Sequence, residues 1–421
     1  MEYIGGKQMN CFIEFLTDYY QNKLRLLAQG RSDRYENALE TYKDMFLAHW
    51  KIVQYQCEKI NDCPYKEECN YIKNIYKEIE EKEIEVFFDT LREVYLLWID
   101  TKSIEAITKY EEVLEKYRLL NFRMEQNQDN IYFKGRISDQ VLTKWDMFHI
   151  PFNKRYLISN QRYSLTGQPI IYLGKSVIDI VEELEVQDLS KLKVSSIQLA
   201  SDMMLYDLRN NLSDDVTNIS FDLFFERKGT VLRRENFFKI ILSSVCSFRK
   251  KQELKGFSFC EEYVLPQLLA QVIKNKGYDG IVYYSTKKFT QLTFSNEEIN
   301  REFKLRNILE QDYEYKENVA LFTKIDVDRV YDKVLFDKID ISVPIDIFKI
   351  EELEFKDLER FRDNILKIEK QEKVTKSDKI VSTYNRLYNQ MKIEGIKYSN
   401  TQIGKLHLYH LYSKLNEILV S

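Results

Sequence analysis

QRYSLTGQPIIYLGKS, residues 161–176, is the stretch from which the fold is read, because it sets an arginine, a turn and a short apolar strand in immediate succession. Arg162 stands at a loop edge, Thr166-Gly167 turns the chain, and Pro169 to Gly174 reads as a buried strand closed by glycine. Tyr172 lies within that strand. A guanidinium fork matches phosphate oxygens two at a time, and a tyrosine ring offers a planar base or pyridine a stacking surface. The pair therefore suits a phosphate-bearing aromatic ligand. The plainer alternative is a solvated or surface-paired arginine beside a half-buried core tyrosine.

A second segment repeats the grammar. In EEYVLPQLLAQVIKNKGYDGIVYYSTKK, residues 261–288, Val264, Leu265, Leu268, Leu269, Val272 and Ile273 fall at helical spacing. Gly277 stops that helix, Asp279-Gly280 turns the chain, and Ile281 to Tyr284 form a strand with Ser285 at its end.

With YFKGRISD (132–139) and MFHIPFNKRYLISNQRYSLTGQPIIYLGKSVIDIVEEL (147–184), these segments resemble the RES-domain family, named for a shared arginine, glutamate and serine. The resemblance covers about half the chain. It implies a mixed α/β fold similar to ADP-ribosyltransferase toxins and an activity that consumes NAD or transfers its ADP-ribose, in many members as the toxin of a toxin–antitoxin pair. Carried over residue by residue, Arg136 in KGRIS matches the early arginine, Arg162 in QRYS the second arginine, Tyr172 the strand tyrosine and Ser285 in YYSTK the serine. Glu183 matches the glutamate by its distance from Tyr172. Glu182 is adjacent, and on a helix the two point about 100° apart, so only one can face the cleft. The chain departs from the family in carrying QRYS-LTG where many members have a GRFN-type turn.

The chemistry asks for these residue types. Breaking the nicotinamide–ribose bond creates an oxocarbenium-like transition state that a carboxylate can stabilise, the role the resemblance implies for Glu183. Arg136 and Arg162 would clamp the pyrophosphate through charge-assisted bonds, and Tyr172 would pack on nicotinamide or ribose. Ser285 fits an orienting hydrogen-bond group better than a nucleophile, because no histidine lies near it in sequence. The bland alternatives are a solvated helix residue for Glu183, a strand-end cap for Ser285 and a salt-bridge partner for Arg136.

Composition bounds the rest. With 421 residues, 44% of them hydrophobic, the chain can build two or three domains. A net charge of -4 gives no field that draws nucleic acid or a membrane. The N-terminus MEYIGGKQMNCF lacks a basic region followed by a long apolar run, so no signal peptide and a cytoplasmic setting are expected. FFKIILSSVCSF (237–248) is too short to span a bilayer and reads as core. No G-x-G-x-x-G follows a strand and no G-x-x-x-x-G-K occurs, so NAD, the expected substrate, is not held in a Rossmann or Walker fashion.

The expected class is α+β, with a central ADP-ribosyltransferase-like RES domain over 126–350. An all-α N-terminal domain precedes it over 1–125 and a helical C-terminal extension follows over 351–421. Ile104, Ile107, Tyr110, Leu114 and Tyr117 form one stripe of the N-terminal part, and residues 78–85 form a solvated charged face. The helical flanks pack on the central domain or on another subunit, which would make a homo-oligomer. Residues 351–370 and 406–420 read as helices. Cys57, Cys63 and Cys69, with His49 upstream, could hold zinc, but their spacing is not that of a zinc knuckle and no metal is expected. His149 reads as a hydrogen-bonded structural histidine, and His407 and His410 share a helix face placed at a surface or interface.

Three functions compete. The first is an NAD glycohydrolase or NAD phosphorylase acting as a toxin or antiphage defence effector, partnered by an antitoxin or a trigger protein. The second is an ADP-ribosyltransferase, and the third a non-catalytic interaction protein.

Overall fold

The computed structural model describes residues 25, 27–31, 34–56, 78–124, 131–186, 188–209, 234–251, 259–286, 317–346, 378–389, 392–393, 396–400 and 402–420. In chain order, helices α1 (Tyr35–Gln56), α2 (Glu81–Ile99) and α3 (Ser103–Lys116) precede strands β1 (Arg123–Met124), β2 (Ile131–Ile137) and β3 (Ile170–Gly174). Helix α4 (Val177–Glu183), strands β4 (Leu192–Leu199) and β5 (Leu205–Asp207), and helices α5 (Arg234–Val245) and α6 (Val264–Asn275) follow. Then come β6 (Gly280–Tyr284), β7 (Glu317–Phe322), the short α7 (Lys333–Asp337), β8 (Ile339–Ile341) and β9 (Ile345–Asp346). The chain continues through α8 (Asp378–Asn389), a small ladder of β10 (Lys392–Ile393) and β11 (Ile396–Lys397), and α9 (Gln402–Val420). The structure is α+β, and residues 351–370 lie outside the described residues. Among the described residues no helix is long and apolar enough to cross a membrane.

The chain forms two compact units. Met1–Phe122, Ser159–Leu165 and Tyr206–Gly277 make the first; Arg123–Ile158, Thr166–Leu205 and Tyr278–Ser421 make the second. Each unit is therefore assembled from segments far apart in sequence, so residues 159–165 and 206–277 cluster with the N-terminal helices.

The first unit is helical and aromatic. α2 buries Ile84, Phe87, Phe88, Leu91, Val94 and Tyr95, one apolar face at helical spacing, and carries Glu81 and Glu83 in its first turn, where the helix dipole favours them. In α3 the buried face is Ala106, Tyr110, Val113 and Leu114. Ile104, expected in that stripe, is 82% exposed, because the packed face of the helix begins at Ala106. α5 is buried continuously from Phe237 to Val245, in keeping with the reading of that segment as core. Tyr42, Phe46, Phe88 and Phe248 meet edge to face, an arrangement that suits ring quadrupoles. Gly277 ends the α6 segment with φ 91°, a backbone conformation open to glycine.

The second unit is built on a sheet in which β6, β7, β3, β2, β4 and β8 lie side by side in that order, with β9 also on β4. These ladders are antiparallel. Side chains alternate between faces, so neighbouring residues enter different cores. Ile131, Phe133, Leu192 and Val194 join α4, α8 and α9 in one core, whereas Tyr132, Ile171, Leu173, Ile197, Val319 and Leu321 join Met147, Phe148 and Leu335 in the other. α4 lies close on the sheet at Gly135, where an added Cβ would stand 2.2 Å from Ile180 Cγ2. His407 and His410, expected at a surface or interface, are buried in α9 and pack against Phe133. A neutral imidazole is flat and aromatic enough to serve as a core side chain there.

Candidate active site

The site is built on the second unit, where α4 begins. Ser176 caps the helix: its Oγ accepts from Asp179 N at 3.1 Å, while its own backbone N donates to Asp179 Oδ2 at 3.1 Å. This reciprocal box fixes where the helix starts and therefore which residues its last turn presents. Val177, Ile180 and Val181 face the core, and Glu183 stands half-buried at the C-terminal end.

Glu183 is held by two donors from the sheet. Ser285 Oγ, just beyond β6, donates to Glu183 Oε1 at 2.5 Å. Asn318 Nδ2, on β7, donates to the same oxygen at 2.8 Å. Asn318 pairs with Gly174 on β3 and Tyr283 on β6, so it projects from between those strands. Glu182 is buried in the same helix, and it is Glu183 that meets Ser285.

Strand alternation locates Tyr172. It lies two residues from Gly174 on β3 and pairs with Ala320, itself two residues from Asn318. Tyr172, Asn318 and the Glu183 carboxylate therefore share one face of the sheet. A planar ring, a carboxylate and a strand-end hydroxyl on one face can bind a sugar carrying an aromatic group and stabilise positive charge on it.

Arg136 does not join this group. Gly135 faces α4, so Arg136 points to the opposite face, where it is exposed and its Nη1 donates to Asp146 O at 3.0 Å. Arg162 belongs to the first unit. There its guanidinium is buried, donates from Nη1 to Cys246 O at 2.8 Å and lies over the Tyr263 ring at 5.0 Å. The turn that carries it is tied to α6 by Gln267, whose Nε2 donates to Asn160 Oδ1 at 2.6 Å and to Gln161 O at 2.8 Å. Burial pushes the neighbouring Cys246 thiol up to about 12, which keeps it protonated and unreactive.

Sequence reading overlooked Asn318, and also a buried pairing on the opposite face in which Tyr132 OH donates to Glu317 Oε1 at 2.7 Å with Lys175 Nζ 4.5 Å above the Tyr132 ring. The signal was present: ENVALF puts two polar residues at the head of a strand whose six residues are all buried. His149 is structural, as expected. Its Nε2 accepts from Asp332 N at 2.9 Å and its Nδ1 lies 2.7 Å from Ile150 O, which assigns a neutral ring protonated on Nδ1. Burial lowers its pKa in the same sense. Cys57, Cys63 and Cys69 lie outside the described residues; among those described, no group of three or more His, Cys, Asp or Glu is arranged to hold a metal ion.

Comparison with known proteins finds a partial likeness. Over 164 residues the chain is 35% identical to a Bacillus subtilis (strain 168) protein named "Putative toxin YopC". The match takes in 37% of this chain and spans 36% of that protein's length. No protein-family model matches the chain. No solved structure matches it either.

Proposed function

We propose that the chain is a toxin of RES type that cleaves NAD at the nicotinamide–ribose bond. The observation that carries this reading is the hydrogen bond from Ser285 to Glu183. Two of the three residue types for which the RES family is named, 102 positions apart in sequence, meet at 2.5 Å. The likeness over part of the chain to a protein with a toxin's name supports the same reading, and an antitoxin partner is part of it.

The chemistry balances without a further cofactor. As the glycosidic C–N bond breaks, its electron pair leaves with nicotinamide and positive charge develops on the ribose. Glu183, facing the anomeric carbon and the ribose hydroxyls, stabilises that charge. Water adds to the anomeric carbon and releases a proton, giving ADP-ribose. Ser285 orients the carboxylate by donating to it, and Tyr172 lies along the nicotinamide or ribose.

The test is incubation of the purified full chain with NAD, reading free nicotinamide with and without protein and nucleic-acid acceptors. Nicotinamide release with unmodified acceptors is the expected result. A labelled acceptor would make the protein an ADP-ribosyltransferase, and the absence of both products would leave a non-catalytic interaction protein.

A further inference from the structure

An amide side chain buried in the middle of a sheet is retained at a cost unless its hydrogen bonds are used. Asn318 is 3% exposed on β7, flanked by β3 on one side and β6 on the other. Its Nδ2 donates to Glu183 Oε1 at 2.8 Å, while its buried Oδ1 has no hydrogen-bond partner among the described residues. Because Glu183 Oε1 accepts from Nδ2, Glu183 sets which way the amide points. A buried group that leaves its acceptor unsatisfied in order to aim its donor at one carboxylate is committed to that carboxylate.

We propose that Asn318 is a positioning residue for Glu183, and this rests on the reading of Glu183 as the group that faces the ribose. Ser285, just beyond β6, and Asn318, on β7, donate to the same oxygen Oε1 and so restrain the carboxylate's last torsion. The Ser285 hydroxyl can rotate, whereas the amide on a central strand cannot, so Asn318 supplies the rigid half of the clamp.

The experiment compares nicotinamide release by the wild type, Asn318→Ala and Asn318→Asp over a range of NAD concentrations, from about pH 5 to about pH 8. Asn318→Ala is expected to lower kcat by roughly tenfold to a hundredfold, as misplacement of a reacting group does, while KM moves by less than about threefold. Asn318→Asp keeps the shape but sets two carboxylates within hydrogen-bond distance of each other. Its kcat is expected to be low at about pH 8 and to recover relative to the wild type, by roughly tenfold, as the pair takes up one shared proton and the aspartic acid becomes a donor again. Among the described residues, the titratable groups that α4, β3 and β6 carry are Asp179, Glu182 and Glu183, Tyr172, and Tyr283 and Tyr284. Asp179 is engaged by Ser176. Taking the ratio to the wild type at each pH removes what they share.

A merely structural role would not produce acid rescue. If Asn318→Ala does not fold, as judged by circular dichroism, the isosteric Asn318→Asp carries the test alone. A wild type that turns over NAD beside an Asn318→Ala protein within about twofold of it, or an Asn318→Asp ratio that stays flat with pH, overturns the positioning role and leaves the proposed function standing. A wild type that releases no nicotinamide overturns both.

Discussion

Ser285 Oγ and Glu183 Oε1 lie 2.5 Å apart, joining the end of β6 to the end of α4. If the carboxylate carries the chemistry, Glu183→Gln keeps the side chain's shape and removes its charge. It should lower nicotinamide release by roughly a hundredfold or more with NAD binding largely intact. Ser285→Ala should cost about tenfold, since Asn318 still holds the same oxygen. Steady-state kinetics on folded protein decide the point. Near-normal turnover in Glu183→Gln would remove this carboxylate from the reaction.

Arg162 calls for a different measurement. Its guanidinium is buried against Tyr263 and bonded to Cys246 O, so removing it leaves a buried carbonyl without its donor and the ring without its cation. Arg162→Ala is expected to destabilise the protein by about 3 kcal/mol, and Arg162→Lys to recover little of this, because an ammonium reproduces neither the fork nor the planar stacking. Thermal denaturation reads the effect. An unchanged melting temperature with a raised KM for NAD would instead assign the guanidinium to the pyrophosphate.

How far the sequence could be read follows from what each signal measures. IIYLG, GIVYY and NVALF are short apolar runs bounded by glycine or polar residues; the last two are strands buried on both faces, the condition that makes such runs recognisable, whereas in IIYLG Ile171 and Leu173 are buried and Ile170 and Tyr172 half-buried. The family resemblance picks out Glu183 and Ser285 separately, but nothing in the sequence pairs them, because periodicity cannot join residues 102 positions apart. Asn318 escaped notice because its role depends on register across β3 and β6, which no local pattern encodes. Arg136 is picked out by the resemblance alone, and its face follows from strand alternation next to Gly135, which packs on α4. The partners of Arg162 come from two later segments that cluster with it in three dimensions. The sequence reads residues 406–420 as a helix with His407 and His410 on one face, without indicating that this face packs on the sheet.

Those histidines give the protein an acid limit. Burial, with His410 close by, lowers the pKa of His407 to about 3, and burial, with Lys414 close by, lowers that of His410 to about 4. In the unfolded chain both titrate near the ordinary value of about 6.5. The unfolded state therefore binds more protons below that pH, and the stability present at neutral pH is lost as pH falls from about 6.5 toward 4. Each histidine contributes ~1.4 kcal/mol per pH unit, so at pH 5 the two together cost ~4 kcal/mol. Urea denaturation at about pH 7.5 and about pH 5 should show this loss. His410→Leu should remove close to half of it. An equal acid loss in that variant would mean that His410 is protonated within the fold.

The last prediction joins packing to chemistry through Gly135. The absent Cβ at this position lets α4 sit against β2, and an alanine would place that atom 2.2 Å from Ile180 Cγ2 and 2.9 Å from Leu184 Cδ1. Ile180 is β-branched and buried between helix and sheet, so it cannot swing aside freely, and α4 must move outward instead. Overpacking of this kind costs about 1–3 kcal/mol. The same displacement carries Glu183 away from Ser285 and Asn318, which are anchored to β6 and β7 and do not follow. Gly135→Ala should therefore lose turnover by roughly tenfold or more at temperatures where it remains fully folded, with a smaller change in KM. Gly167, which has nothing within 4 Å of an added Cβ, serves as the comparison: its φ of 72° makes alanine strained there, but no helix is displaced. Gly167→Ala should lower the melting temperature and leave the turnover of the folded protein unchanged. Equal turnover in the two variants at matched folded fraction would show that α4 can shift without consequence, and that the position of Glu183 does not limit the reaction.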